Sequence, residues 1–320
     1  MADTSRRITL WGIEVFVAAA QERSITAAAR RLGASPSAIS QQLSNLEDAV
    51  GAVLMNRRER PLTLTPAGET FRRRAQTILN EAAQAHAELA RIDHTMLSEL
   101  RLGMIEDFDS DVTPRLLSQL SDEMTTTRFL LETGASHRLF DQLDSRALDV
   151  VVAADMGEAA EWMEVFPLMV EPFVAVVRKG MLDAREVPER LPGMPLIRYT
   201  TRHHMGRVIA DHLVRQNLVL SHRFELDSYH AILAMVAAGA GWTILTPLGV
   251  SHAKRFRDRV DVFALPFAPF SRSIALFARR DILGDMPATI AARLRRLLDE
   301  RIVARHVKRL PWLGGALRVV

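Results

Sequence analysis

The chain has 320 residues, 48% hydrophobic and 25% charged, with no cysteine and a formal net charge of +3. That balance describes folded protein rather than a disordered segment, and the length implies two or three domains. The lack of cysteine excludes disulfides, thiolate metal sites and cysteine redox sensing. No stretch approaches the roughly 18 apolar residues of a membrane span, and the start lacks the apolar core and cleavage site of a signal peptide. A cytoplasmic protein without membrane contact is therefore expected.

Charge is unevenly placed. Residues 1–75 hold eleven arginines and no lysine against seven acids, while the rest of the chain carries 30 basic against 31 acidic residues. The positive excess thus sits in the first quarter, where a polyanion partner is indicated.

"LWGIEVFVAAAQERSIT" opens with a helical period in which Leu10, Ile13, Phe16 and Val17 share a face and Ala20 lies one turn on. Ser24 is placed to cap a second helix through Ala28, Ala29 and Leu32, which Gly33 ends as a left-handed residue. Ser35-Pro36, a cap followed by proline, starts a third helix. Two short helices across a tight turn form a helix-turn-helix signature. On the third helix Ile39, Leu43 and Leu46 form an apolar seam, while Ser37, Gln41, Ser44 and Asp48 point the other way with Ser40 at the edge. Short uncharged donors and acceptors suit the reading of base edges in a major groove. An exposed polar helix with no partner is the plainer alternative.

Next, "GAVLMNRRERPLTLTPAG" places Arg57, Arg58 and Arg60 before an alternating strand, "PLTLT", as a basic wing set against phosphate or the minor groove. Thr65-Pro66 repeats the cap-plus-proline device and begins a long helix.

These residues together resemble the winged helix-turn-helix of LysR-type transcriptional regulators. The resemblance rests on Phe16-Val17, Ser24-Ile25-Thr26, Ala28-Ala29 with Leu32, Ser40, Leu46-Glu47, Leu54-Met55-Asn56-Arg57, and Leu64-Thr65 with Gly68. Ile25 and Met55 stand where the family often has Phe, and Gln41 where a basic residue is frequent. The resemblance implies double-stranded DNA as partner, with Thr26, Arg30, Arg31, Ser35, Pro36, Ser37, Ser40, Gln41, Ser44, Arg57, Arg58 and Arg60 as the contacting residues.

From Pro66, Phe71, Ala75, Ile78, Ala82, Ala85, Leu89, Ile92 and Met96 recur at alternating spacings of four and three. This 3.5-residue period marks a coiled-coil seam, which makes residues 67–98 a dimerising helix, with packing inside its own domain as the alternative. The same segment is the dimer-forming linker in LysR-type proteins, so a homodimer, extending to a homotetramer, is expected.

Beyond residue 99 strands alternate with helices. "LRLGMI" is a strand, Thr113-Pro114 opens a helix, "RFLLETG" and "ASHRLFDQL" repeat the step, and "LDVVVAA" is a fully buried strand. A parallel sheet with a ligand cleft at its strand ends follows. A second lobe begins around "VFPLMVEPFVAVVRKG" and includes "PLIRYT" and "DSYHAILAMVAAGAGWTILTP". The pattern resembles the two-lobed, periplasmic-binding-protein-like effector domain of the LysR family. The expected organisation is α/β with an all-α N-terminal part: a DNA-binding domain over 1–66, the linker helix over 67–98, and an effector domain over 99–320. The tail "ARHVKRLPWLGGALRVV" lies outside the resemblance and has no sequence account.

The resemblance sets the cleft walls at Asp107, Phe108, Ser110, Thr133, Ser136, Tyr199, Thr200, Arg202, His203, Asp227 and Ser228. Where relatives place Ser or Thr, Asp107 would repel a carboxylate and suit an ammonium or hydroxyl group. Arg198, Arg202, His203 or His204 could hold an acid group. The expected effector is then a hydroxylated or amino-bearing organic acid; the alternative is that these acids merely favour a helix dipole and face water. Neighbouring His203 and His204 point to opposite faces of a strand and have no ligand partner at metal spacing, so neither a metal nor a cofactor is expected. No catalytic motif is present, and an enzyme is not expected. The resulting expectation is an effector-controlled bacterial regulator working with RNA polymerase, against the alternative of an architectural DNA-binding domain fused to a small-molecule-binding protein.

Overall fold

Side-chain caps set the start of the N-terminal helices. Thr9 Oγ1 accepts from Gly12 N at 3.0 Å, Ser24 Oγ from Ala27 N at 3.3 Å and Ser35 Oγ from Ala38 N at 3.2 Å. They open α1 (Leu10–Glu22), α2 (Ile25–Arg31) and α3 (Pro36–Val50). Gly33, at φ +64°, provides the left-handed stop between α2 and α3. The computed structural model describes residues 7–57, 59–90, 97–157 and 159–320. Two compact units emerge: Met1–Ser98 with Asp144–Ala147, and Glu99–Leu143 with Leu148–Val320.

In the first unit α1 is buried on more than one face. Ile13 and Phe16 are core residues, but so are Val15, Ala18 and Ala19, whereas Leu10 is exposed. The single apolar stripe expected from the sequence is too narrow because α1 packs against α2, α3 and α4 together. The wing is a minimal hairpin, β1 (Met55–Asn56) antiparallel to β2 (Thr63–Leu64), shorter than the strand expected over "PLTLT". Thr65 Oγ1 then accepts from Gly68 N and donates to Val53 O at 2.7 Å, tying the start of α4 (Pro66–Ala90) to the wing. A Cβ at Gly68 would lie 2.0 Å from Leu54 O, so only glycine permits that approach.

The first seam positions of α4 are spent inside this unit. Ala75 is fully buried, and the Phe71 ring meets Phe16 edge-on at 5.3 Å. Ile78 is 39% exposed and Ala85 is exposed. Ile92 and Met96 lie outside the described residues, as does the side chain of Leu89.

The second unit has two lobes. Its first lobe contains β3 (Glu99–Met104), α5 (Val112–Glu123), β4 (Arg128–Thr133), α6 (Ser136–Asp144), β5 (Val150–Ala154) and β6 (Met163–Pro172). The chain crosses at Phe173 into the second lobe. There follow β7 (Val174–Arg178), α7 (Val187–Arg190), β8 (Leu196–Tyr199), α8 (His204–Arg215), β9 (His222–Leu226), α9 (Tyr229–Ala237), β10 (Thr243–Leu245), α10 (Pro247–His252) and β11 (Val260–Phe263). It returns through β12 (Ser271–Arg279), α11 (Met286–Leu298), α12 (Ala304–Arg309) and β13 (Arg318–Val319).

The first-lobe sheet runs β13-β6-β12-β5-β3-β4. It is not the all-parallel sheet expected. β3 pairs in parallel with β4 and β5, but β12 is antiparallel to both β5 and β6 because it re-enters from the second lobe. In the second lobe β7 is flanked by antiparallel β10 and β11, and β8 pairs in parallel with β9. The two crossing segments touch: Phe173 N donates to Phe270 O at 2.9 Å, and their rings stack at 4.3 Å.

The tail left without an account begins with α12, where His306 lies 2.7 Å from Ser251 of the second lobe, and its end is built into the first lobe. β13 adds to the edge of β6, Leu313 and Leu317 are buried, and Val320 N donates to Leu168 O at 3.0 Å.

Candidate DNA-reading face and ligand cleft

On α3 the seam of Ile39, Leu43 and Leu46 is buried and the opposite face is open, with Pro36, Ser37 and Gln41 exposed. Ser35 is engaged as the cap and lies 3.0 Å from the Ser37 hydroxyl. Gln41 Nε2 donates to Asn45 Oδ1 at 2.9 Å. Thr26, Arg30 and Arg60 are exposed; Arg31 is exposed too and reaches Gln21 at 2.7 Å and Glu22 at 3.3 Å.

Arg57, expected on the wing against phosphate or the minor groove, is engaged within its own unit. Its Nη1 donates to Ser44 Oγ at 2.9 Å and its Nη2 to Glu47 Oε2 at 2.5 Å. Glu47, only 13% exposed, also accepts from Leu54 N and Met55 N. Arg57 therefore clamps the wing onto α3, and the Ser44 hydroxyl is drawn into the clamp while donating to Ser40 O. Arg58 lies outside the described residues.

Between the lobes of the second unit is a narrow cleft of about 80 Å3. Of the residues expected there, Asp107, Ser136, Tyr199, His203 and Asp227 line it. The others do not. Phe108 and Ser110 face a separate cavity, and Thr133 Oγ1 donates to Asp109 Oδ1 at 3.1 Å. Thr200 is buried and donates to Glu225 at 2.8 Å, Arg202 is exposed, and Ser228 sits at the start of α9. Arg198 reaches His222 instead of the cleft, at 3.2 Å.

The centre of the cleft is a group the sequence did not suggest. Arg272, the register partner of Glu171 across β12 and β6, is 8% exposed at its side chain and sits between two carboxylates. Its Nε donates to Glu171 Oε1 at 2.6 Å, and its Nη2 to Asp107 Oδ2 at 3.2 Å. Glu171 is fully buried and also accepts from Leu248 N at the start of α10. Burial raises the Glu171 pKa, against the pull of the Arg272 charge. Asp107 is thus neither turned to water nor free; its side chain is 4% exposed and ion-paired, and its buried Oδ1 has no hydrogen-bond partner.

Around this group Tyr199, Tyr229, His203 and His137 form a chain of ring contacts between 5.6 and 5.8 Å. Tyr199 Oη donates to Asp227 O at 3.1 Å. Gly134 to His137, at the N-terminus of α6, close another wall, where backbone N–H groups and the helix dipole favour negative charge. Two imidazoles here are made harder to protonate: burial, then His203 and Arg138, lower the His137 pKa, and burial, then Arg207 and Arg272, lower that of His204. Burial raises the Tyr199 and Tyr229 pKa values, with Asp107 adding to both, so both phenols remain protonated donors. Among the described residues no group of three or more His, Cys, Asp or Glu is placed to hold a metal ion, and no helix is long and apolar enough to cross a membrane.

A winged helix-turn-helix and a two-lobed cleft in one chain define a ligand-responsive transcriptional regulator. Comparison with known proteins specifies the family. Residues 10–69 match the bacterial regulatory helix-turn-helix proteins of the lysR family, and residues 95–302 match the LysR substrate binding domain. The chain belongs to the LysR family of DNA-binding transcriptional regulators. It is 29% identical over 251 residues to the DNA-binding transcriptional dual regulator OxyR of Escherichia coli K12, covering 78% of this chain and 82% of that protein. It is 28% identical over 319 residues to a probable hydrogen peroxide-inducible genes activator of Mycobacterium avium, covering 97% and 99%. In fold it is similar to a full-length OxyR variant from Pseudomonas aeruginosa, with a TM-score of 0.68, 24% identity, and 91% and 95% of the two chains covered. CbnR solved with its target DNA gives 0.62 at 18% identity, covering 91% and 100%.

Proposed function

We propose that this regulator works as a homodimer, assembling further to a tetramer, and that its cleft takes an amphoteric small acid bearing an amino or hydroxyl group. One observation carries the effector class: the cleft wall carries two groups of opposite chemistry. The unpartnered Oδ1 of Asp107 demands a donor, while the N-terminus of α6 favours an anion. A ligand with only a carboxylate leaves Asp107 unsatisfied, and one with only an amine leaves the helix end unused. The protein acts by binding and not by turnover, in a bacterial cytoplasm with RNA polymerase as its target. Peroxide, named for several relatives, is not our reading of the signal. Without cysteine the chain has no sulfur pair for thiol–disulfide chemistry. Occupancy of the cleft shifts the balance between lobe arrangements, and that differential affinity changes promoter output.

A thermal-shift panel on the full chain tests this with amino acids, hydroxy acids, simple carboxylates and simple amines. Amphoteric compounds should raise Tm by several degrees, and Asp107→Asn should abolish the preference for them. Equal stabilisation by simple carboxylates, or an unchanged preference in the variant, would overturn it.

A further inference from the structure

Beside the Asp107 turn lies a second cavity of about 350 Å3, which shares Asp107 with the cleft. Five cations line it: Lys254 and Arg257 after α10, Arg301 in the turn beyond α11, and Arg305 and Arg309 on α12. Its two acids each have an arginine beside them. Asp107 is held by Arg272, and Asp111 lies 2.6 Å from Arg305 and 3.1 Å from Arg115. Lys254, Arg257, Arg301 and Arg309 make no ion pair among the described residues, and Arg309 Nη2 donates only to the Arg257 carbonyl, at 3.1 Å.

Two nitrogens of the lining residues are buried and unused. Arg301 Nε and His252 Nδ1 have no hydrogen-bond partner. Buried donors are ordinarily satisfied, and leaving one open is costly. Cations gathered without a counter-charge repel one another, and a negative group entering between them relieves that repulsion. His306 closes the floor between Ser251 Oγ, at 2.7 Å, and Ile302 O, at 2.8 Å, and burial lowers its pKa. Two of the five cations, Arg305 and Arg309, come from α12, which lies beyond the 95–302 segment matched to the LysR substrate binding domain.

We propose that this cavity is a second ligand site, for a small polyanion of at least two negative charges, either a phosphorylated or a polycarboxylate compound, with Lys254, Arg257, Arg301 and Arg309 as its cationic partners. Bidentate guanidinium forks suit both phosphate and carboxylate oxygens. Asp107 belongs to the walls of both cavities, so an anion here bears on the turn that faces the cleft.

Calorimetric titration of the full chain at fixed ionic strength tests it, with pyrophosphate, citrate and acetate as probes. Pyrophosphate or citrate should bind and acetate should not. Which of the two binds separates phosphoryl from polycarboxylate chemistry. Arg301→Gln should weaken binding roughly tenfold or more, equivalent to about 1.4 kcal/mol. Because Arg301 is partly buried, the exposed pair Lys254→Gln/Arg257→Gln provides a second test with the same expected loss at unchanged Tm. No binding of either polyanion, equally tight acetate binding, or undiminished binding in both variants would overturn the site. So would a loss seen instead in Arg30→Gln/Arg60→Gln, which places the anion on the DNA-reading face.

Discussion

Arg272 stands between two carboxylates of the second unit. Its single charge faces both, and their side chains are almost wholly out of water. Removing one partner of a buried ion pair typically costs about 3–5 kcal/mol, because the remaining charge stays buried and alone. Arg272→Met should therefore lower stability by that order in chemical denaturation, while Glu171→Gln, which removes charge from the overfilled acidic side, should cost far less. Equal losses would mean that packing, not charge, holds the cluster. The cleft histidines make a separate pH prediction. His137 and His204 have lowered pKa values when folded, so between those values and the roughly 6.5 of an unfolded imidazole the unfolded chain binds more protons. Stability should rise with pH through that window and fall as the pH drops below about 6.5. His137→Gln/His204→Gln should flatten Tm measured from pH 5 to 7.5; an unchanged slope would assign the effect to other groups.

At the level of elements, short-range signals were the readable ones. Ser24, Ser35 and Thr65 act within three residues of themselves, so their caps, and the helices they open, could be placed from sequence. The direction of β12 could not, since nothing near Ser271–Arg279 says that the strand returns from another lobe. For the same reason Asp107 could be singled out but not understood. Its partner lies 165 residues away. Arg57 is an intermediate case, because a basic wing was legible while the Glu47 carboxylate that claims its guanidinium was not. This reassignment is testable through salt dependence, where each lost phosphate contact lowers the slope of log K against log salt by about one. Arg57→Ala should leave that slope unchanged and cost at most about 1 kcal/mol of stability, since the Arg57 side chain is 31% exposed. Arg60→Ala should lower the slope by about one. A fall in slope for Arg57→Ala would return that residue to the phosphate backbone.

For the whole molecule the open question is what covers α4. Its apolar period continues past the point where its own unit can use it: Phe71 and Ala75 pack against that unit, yet Ile78 and Ala85 are exposed on the same helix. Leaving such a stripe in water forgoes burial worth about 25 cal/mol per Å2, and a second copy of the stripe is the partner that a 3.5-residue repeat selects. Alanines in the seam let the helices approach closely but bury little area each, so a charge should be poorly tolerated there. Ile78→Asp/Ala85→Asp should shift the protein towards monomer in sedimentation velocity without lowering the helix content of the first unit, whose buried core does not include either residue. Operator affinity should then fall by roughly 100-fold or more, because two linked reading heads gain about 10²–10⁴ over one through effective concentration. A dimer that persists in the variant, with operator affinity intact, would show that another surface joins the subunits.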